Sequence, residues 1–128
     1  MSKQIKLLFV DDESDFTQPM SFWFKAKGYD VIVADNGVTG IEKIKAEDPD
    51  IVFLDINMPV MDGLETLKNI REFDKELPVI FISAYLDLQK IEEVKQYGIS
   101  GVFYKGEDFD QGLALIEATL RTHKKLQK

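Results

Sequence analysis

Four places in this 128-residue chain carry side chains that could do chemistry together: the acidic triplet Asp11-Asp12-Glu13, then Asp55, Ser83 and Lys105. Each follows directly on a short apolar run, LLFV, IVFL, VIFI and VFY in turn. Carboxylates drawn into one crevice repel one another and stay ionised only if a cation compensates them, and an all-oxygen donor set of this kind suits Mg²⁺ or Mn²⁺. Asp12 and Asp55 are the expected direct ligands, Asp11 a direct or water-mediated one, with a backbone carbonyl from the loop after the third apolar run as a further donor. Mg²⁺ keeps several waters, which leaves room for an oxygen of a phosphoryl group.

Such a crevice exists only if the apolar runs lie side by side with their ends aligned. Five runs, Ile5–Val10, Val31–Ala34, Ile51–Leu54, Val79–Ile82 and Gly101–Tyr104, read as strands rich in β-branched and aromatic residues. Three of them are apolar nearly throughout, as expected of parallel strands covered on both faces. Segments with helical spacing alternate with them. Phe16, Met20, Trp23 and Lys27 form one stripe of a helix that begins near Ser14 or Asp15 and ends at Gly28, which puts Pro19 near the end of its first turn. Ile41 and Ile44 mark a second helix that follows Asn36-Gly37 and stops before Asp48-Pro49. Leu64, Leu67 and Ile70 mark a third, Leu88, Ile91 and Val94 a shorter and more polar fourth, and Leu113, Ile116 and Leu120 the last. Strict βα alternation argues for one α/β domain, a doubly wound parallel sheet whose working residues gather at the carboxyl ends of the strands.

The bulk properties agree with one domain and narrow its partners. A chain of this length buries roughly two-thirds of the surface its unfolded form exposes, so it needs no disulfide or structural metal to fold, and it contains no cysteine. With 23 acidic against 16 basic side chains, the net charge of −7 disfavours nucleic acid as a partner. The apolar run near the start is too short for a signal-peptide core or a membrane span, so a cytoplasmic protein with no membrane contact is expected.

Several stretches resemble the response-regulator receiver domain: LLFVDDE (7–13), DNG (35–37), PDIVFLDINMPVMDG (49–63), PVIFISA (78–84) and the lysine of GVFYKG (101–106). The resemblance runs from about Ile5 to about Leu120. It implies a flavodoxin-like (βα)5 fold with strand order 2-1-3-4-5. It also implies a phosphorylation-dependent signalling switch, not a turnover enzyme, in which Asp55 takes a phosphoryl group from a sensor histidine kinase, a phosphotransfer protein or a small phosphodonor. Asp12, Asp55 and the backbone carbonyl of Asn57 would hold Mg²⁺, with Asp11 assisting. The residue types suit that chemistry on their own account. An aspartate oxygen can attack phosphorus in line once metal and lysine neutralise the meeting charges. Lys105 then binds a phosphoryl oxygen, while the Ser83 hydroxyl donates to another and draws the loop after strand four with it. The surface formed by the fourth helix, fifth strand and last helix would change, reaching an output domain, a partner protein or a second copy in a reversible homodimer. The last helix, about 108–126, would lead toward such an output.

Each residue alone has a plainer reading: an Asp after a strand is commonly a helix cap, Ser83 a turn residue and Lys105 a solvated charge. All of them at strand ends outweigh those readings. His123, in a basic tail, reads as solvated and without a role. Two features depart from the family pattern. Gly106 stands where proline usually follows the lysine, and Val102 stands where an aromatic usually lies three residues before it. Readout would then pass through backbone movement or another aromatic, Tyr85 being the candidate, and Tyr85 and Asn57 are placed to govern how water reaches an acyl phosphate. Two competing functions follow: a receiver-like protein–protein module that no longer phosphorylates, and an enzyme or flavin protein on the same scaffold. The second is disfavoured because three acids follow strand one where a flavin site would want hydroxyls, and Asn57 stands where an aspartyl phosphatase needs a general acid.

Overall fold

The computed structural model describes residues 4–84 and 88–123. Strands β1 (Lys6–Val10), β2 (Asp30–Ala34), β3 (Ile51–Asp55), β4 (Val79–Ser83) and β5 (Gly101–Tyr104) alternate with helices α1 (Ser14–Ala26), α2 (Gly37–Glu47), α3 (Gly63–Phe73), α4 (Leu88–Lys95) and α5 (Phe109–Thr122). All strand pairs are parallel and the order is β2-β1-β3-β4-β5.

Successive side chains of a strand face opposite sides of a sheet, and here the two sides carry different helices. Leu8, Val10, Val52, Leu54, Val79 and Phe81 pack with Ile44 of α2, Leu67 and Ile70 of α3, and Ile91 and Val94 of α4. Leu7, Phe9, Ile51, Phe53, Ile80 and Ile82 pack with Met20 and Phe24 of α1 and Ile116 of α5. The second layer is aromatic: Phe9 and Phe53 stack at 4.5 Å, and Phe24 lies 5.9 Å from Phe53. Each such ring taken out of water contributes about 2–3 kcal/mol, so the three central strands, β1, β3 and β4, anchor the fold.

The helix ends are built locally. The Asn36 side chain accepts a hydrogen bond from the N–H of Thr39 and that of Asp62 accepts one from Glu65, capping α2 and α3. α1 ends as expected, with Gly28 at φ +100° and its N–H on the Lys25 carbonyl. α2 ends at Asp48, which takes a left-handed φ of 52° before Pro49.

Several expectations shift in detail. Asp55 and Ser83 are the last residues of their strands, not the first beyond them, because their backbones still join the ladder. The inward face of α1 is Thr17, Met20 and Phe24; Trp23 lies on the flank, 44% exposed, edge-on to Phe109, and Lys27 is exposed. Pro19 is the sixth residue of α1, so the Asp15 carbonyl lacks its usual donor, at a position open to water. Leu88 is 66% exposed, leaving Ile91 and Val94 to dock α4. α5 ends at Thr122, and residues 124–126 lie outside the described residues. His123 is not a solvated tail residue: it caps α5, is only partly exposed, and its Nε2 lies 2.5 Å from the Glu76 carbonyl.

Candidate functional site

Parallel pairing in register brings the ends of β1, β3, β4 and β5 to one edge of the sheet. Asp11 leaves β1 with its N–H on the Ala34 carbonyl at 3.0 Å, and its Oδ1 accepts the N–H of Glu13 at 2.9 Å. That local bond turns the chain into α1 and fixes the Asp11 carboxylate, which is buried. Asp55 is buried at the end of β3, and its Oδ1 accepts the N–H of Asn57 at 3.2 Å. Asp12 is exposed at the rim. Asp11, Asp12 and Asp55 each offer a carboxylate oxygen, all within 4.8 Å of one another.

Lys105 completes the cluster from β5. Its N–H donates to the Ser83 carbonyl at 2.8 Å, which continues the β4–β5 ladder into the site. Its Nζ stands 3.1 Å from Asp11 Oδ2 and 3.4 Å from Asp55 Oδ2, and forms an ion pair with Glu13. The Phe16 ring lies 5.4 Å from the ammonium, a cation–π contact from α1. Gly106 follows at φ +96°, the left-handed region that glycine adopts without strain, so the loop turns by another route than a proline would give. Ser83 is buried on β4, the strand beside β3, and its hydroxyl donates to the Ala84 carbonyl at 2.7 Å.

Electrostatics follow from this crowding. Burial, with the charge of Asp11 beside it, raises Asp55 to about 7, against the opposing pull of Lys105 and the Asn57 N–H. Burial lowers Lys105, but its hydrogen bond to Glu13 and the charges of Asp55 and Asp11 outweigh this and hold it above its usual value. The site thus carries more negative charge than one ammonium balances. Asp11 Oδ2 is buried and accepts no well-directed hydrogen bond, although Lys105 is near it. An oxygen-rich, electron-rich cluster with such an atom fits a hard divalent cation such as Mg²⁺.

The loop after β3 approaches the sheet closely. Ile56 N–H donates to the Ile82 carbonyl, and Gly63 N–H donates to the Ile56 carbonyl at 2.8 Å. A Cβ on Gly63 would lie 2.8 Å from Ile56 Cα and 2.9 Å from a ring carbon of Phe81, so α3 can start here only with glycine. Within this loop Val60 is 99% exposed at φ 69°, and Asn57 is exposed at the mouth of the crevice.

The structure therefore brings Asp11, Asp12, Asp55 and Lys105 together and sets Ser83 on the adjoining strand end. Sequence reasoning missed three contacts: Glu13 and Phe16 on Lys105, and Lys90 on Asn57. Phe16 sits one turn from the acidic triplet, a signal visible in helical spacing. Lys90, on a polar helix, gave none. Tyr85 lies outside the described residues. Tyr104 shares the face of β5 on which Val102 packs and stands in register with Ser83.

The family model for the response regulator receiver domain matches residues 7–117. The chain is 36% identical over 106 residues to sporulation initiation phosphotransferase F of Bacillus subtilis (strain 168), covering 83% of this chain and 86% of that protein. It is 35% identical over 121 residues to the transcriptional regulatory protein ZraR of Klebsiella oxytoca, covering 94% of this chain but 27% of that one. The chain thus spans about a quarter of the length of several curated relatives that it matches. The solved receiver domain of NtrX from Brucella abortus superposes with a TM-score of 0.86 at 27% identity, over 91% of this chain and 98% of that one.

Proposed function

The chain belongs to the response regulator receiver domain family, and from that premise we propose that Asp55 accepts a phosphoryl group from a sensor histidine kinase or phosphotransfer protein in a Mg²⁺-dependent reaction. The observation that carries this reading is the cluster itself: three carboxylates within 4.8 Å of one another and an ammonium 3.4 Å from Asp55 Oδ2. Members of the family are signalling phosphoacceptors, and this domain assists its own phosphorylation and dephosphorylation without being a turnover enzyme.

Asp11, Asp12, Asp55 and the Asn57 backbone carbonyl would hold the cation. When bound, Mg²⁺ neutralises carboxylate and phosphoryl charge and orients a phosphoryl oxygen. Asp55 supplies the nucleophilic oxygen and is held for in-line attack by the Asn57 N–H. Lys105 leaves its carboxylate partners to meet the charge of the transferred group, and Phe16 keeps the ammonium from swinging into solvent. The Ser83 hydroxyl exchanges the Ala84 carbonyl for a phosphoryl oxygen, drawing the end of β4 inward. Readout at α4, β5 and α5 would then run through the β4–β5 backbone, where Lys105 N–H holds the Ser83 carbonyl, and through Tyr104 beside it. The targets are an output domain, a partner protein or a second copy in a reversible homodimer. The net charge of −7 argues against nucleic acid as a direct ligand of this domain. Among the described residues no helix is long and apolar enough to cross a membrane; the proposed location is the cytoplasm.

Intact mass after incubation with acetyl phosphate and Mg²⁺ tests the reading. A gain of about 80 Da, one PO₃ unit, that is lost in Asp55→Asn and in chelator is the expected result. No gain, repeated with a phosphorylated histidine kinase, would make the chain a binding module of receiver fold.

A further inference from the structure

Lys90 lies in the first turn of α4, and its Nζ donates to Oδ1 of Asn57 at 2.5 Å across 33 residues of chain. Both residues are exposed, so a contact between an ammonium and a neutral amide adds little to stability, and ordering a long lysine side chain costs entropy. α4 is docked by Ile91 and Val94 without it. The bridge ends, however, on a residue bound to the reacting group: the Asn57 N–H donates to Asp55 Oδ1 at 3.2 Å. The Asn57 side chain is therefore exposed beside the reacting group, with its carbonyl oxygen held by a lysine of α4.

We propose that Lys90 is a positioning residue which, by holding Oδ1 of Asn57, restricts the approach of water to phosphorylated Asp55 and so sets the lifetime of the acyl phosphate; this rests on Asp55 being the phosphoacceptor. Loss of the phosphoryl group needs a water oxygen to form a bond to phosphorus in line while the bond from phosphorus to the Asp55 oxygen breaks. The carboxylate leaves with the electron pair, and the water proton passes to the released phosphate. A water entering at the mouth is best oriented by an acceptor for one of its protons, and Oδ1 is the side-chain acceptor of Asn57. Lys90 occupies it. The lifetime thereby depends on where α4 sits: a partner that draws α4 away from the sheet withdraws the ammonium, removes this competitor for Oδ1 and shortens the signal.

The test is the hydrolysis rate of protein phosphorylated with acetyl phosphate and Mg²⁺, followed by intact mass after the donor is removed, in wild type, K90M, K90R, N57A and N57A/K90M. K90M is expected to hydrolyse about threefold faster, the effect of losing one modest charge-assisted hydrogen bond, with an unchanged melting temperature. K90R is expected to stay near wild type, and N57A/K90M to match N57A because no Oδ1 remains for Lys90 and water to compete for. In the metal-free protein the Asn57 side-chain amide resonances are expected to move in K90M. A lifetime in K90M equal to or longer than wild type, the same acceleration persisting in N57A, or unmoved amide resonances would each overturn the role of Lys90. A wild type that takes up no phosphoryl group would instead overturn the phosphoacceptor reading, and the role of Lys90 with it.

Discussion

The ammonium of Lys105 stands 3.4 Å from Oδ2 of Asp55, although fifty residues of chain separate them. The two are joined through the sheet: β3 pairs with β4, β4 with β5, and the Lys105 N–H extends the last ladder by one bond to the Ser83 carbonyl. On the proposed function, a cation held this close to the accepting oxygen would stabilise charge that develops on the phosphoryl group. Lys105→Met should slow phosphorylation of Asp55 by roughly a hundredfold, the scale of losing one preorganised charge stabiliser. Uptake of mass from acetyl phosphate over time measures it, and a wild-type rate would remove Lys105 from the mechanism.

Asp55 gives a pH dependence whose sign follows from burial. Its carboxyl is raised from 3.8 to about 7, so between those values the folded metal-free protein binds more protons than the unfolded one. This group therefore lowers stability as pH rises from about 4 to about 7, and its cost is complete above that range. Asp55→Asn removes the cost: in chelator the variant should be more stable than wild type at pH 8, by on the order of 2 kcal/mol, with the gap closing toward pH 5. Mg²⁺ binds the ionised form, so wild-type affinity should climb as pH rises through about 7. Thermal unfolding across this range, with and without Mg²⁺, reads both; a pH-independent gap would mean that Asp55 does not titrate there.

Gly63 allows α3 to begin against the end of β3. A methyl group there would press on the backbone of Asp55 and Ile56 and on the Phe81 ring, none of which can give way cheaply. Gly63→Ala should cost about 2 kcal/mol or more in urea unfolding, and, because the backbone it displaces carries Asp55, weaken Mg²⁺ binding in whatever fraction folds. An unaltered denaturation midpoint would show that the loop can move aside.

Val60 has the opposite character. A β-branched residue at φ 69° is strained, and its side chain, 99% exposed, recovers nothing by burial. Val60→Gly should raise stability by about 0.5–1 kcal/mol, the net of relieved strain and the larger entropy of glycine in the unfolded chain. A loss of stability on chemical denaturation would mean that Val60 makes a contact its exposure does not suggest.

How much of this could be read before folding differs from element to element. The strands were legible because β1, β3 and β4 are covered on both faces and so must be apolar at nearly every position. Their ends were legible because Asp11, Asp55, Ser83 and Lys105 interrupt those runs abruptly. Leu88 and Trp23 lie on the helices that their spacing marks but off the buried faces, since an apolar residue at helical spacing also serves on an exposed or flanking surface. His123 misled for the converse reason: its basic neighbours say nothing about the Glu76 carbonyl that holds it.

The sequence by itself determined the βα alternation, the two-sided burial of the central strands and which residues stand at the strand ends, because each is written in local hydrophobic pattern and in where that pattern stops. Through family resemblance it also implied the strand order, which spacing alone leaves open. Only the tertiary structure decided which charges meet. Glu13 and Phe16 reach Lys105, and Lys90 reaches Asn57, because parallel crossovers carry distant segments to one edge of the sheet. Contacts between exposed polar side chains leave no periodic trace in a sequence; they are fixed by the directions in which separately folded elements happen to point, and these are set by packing in the core beneath them.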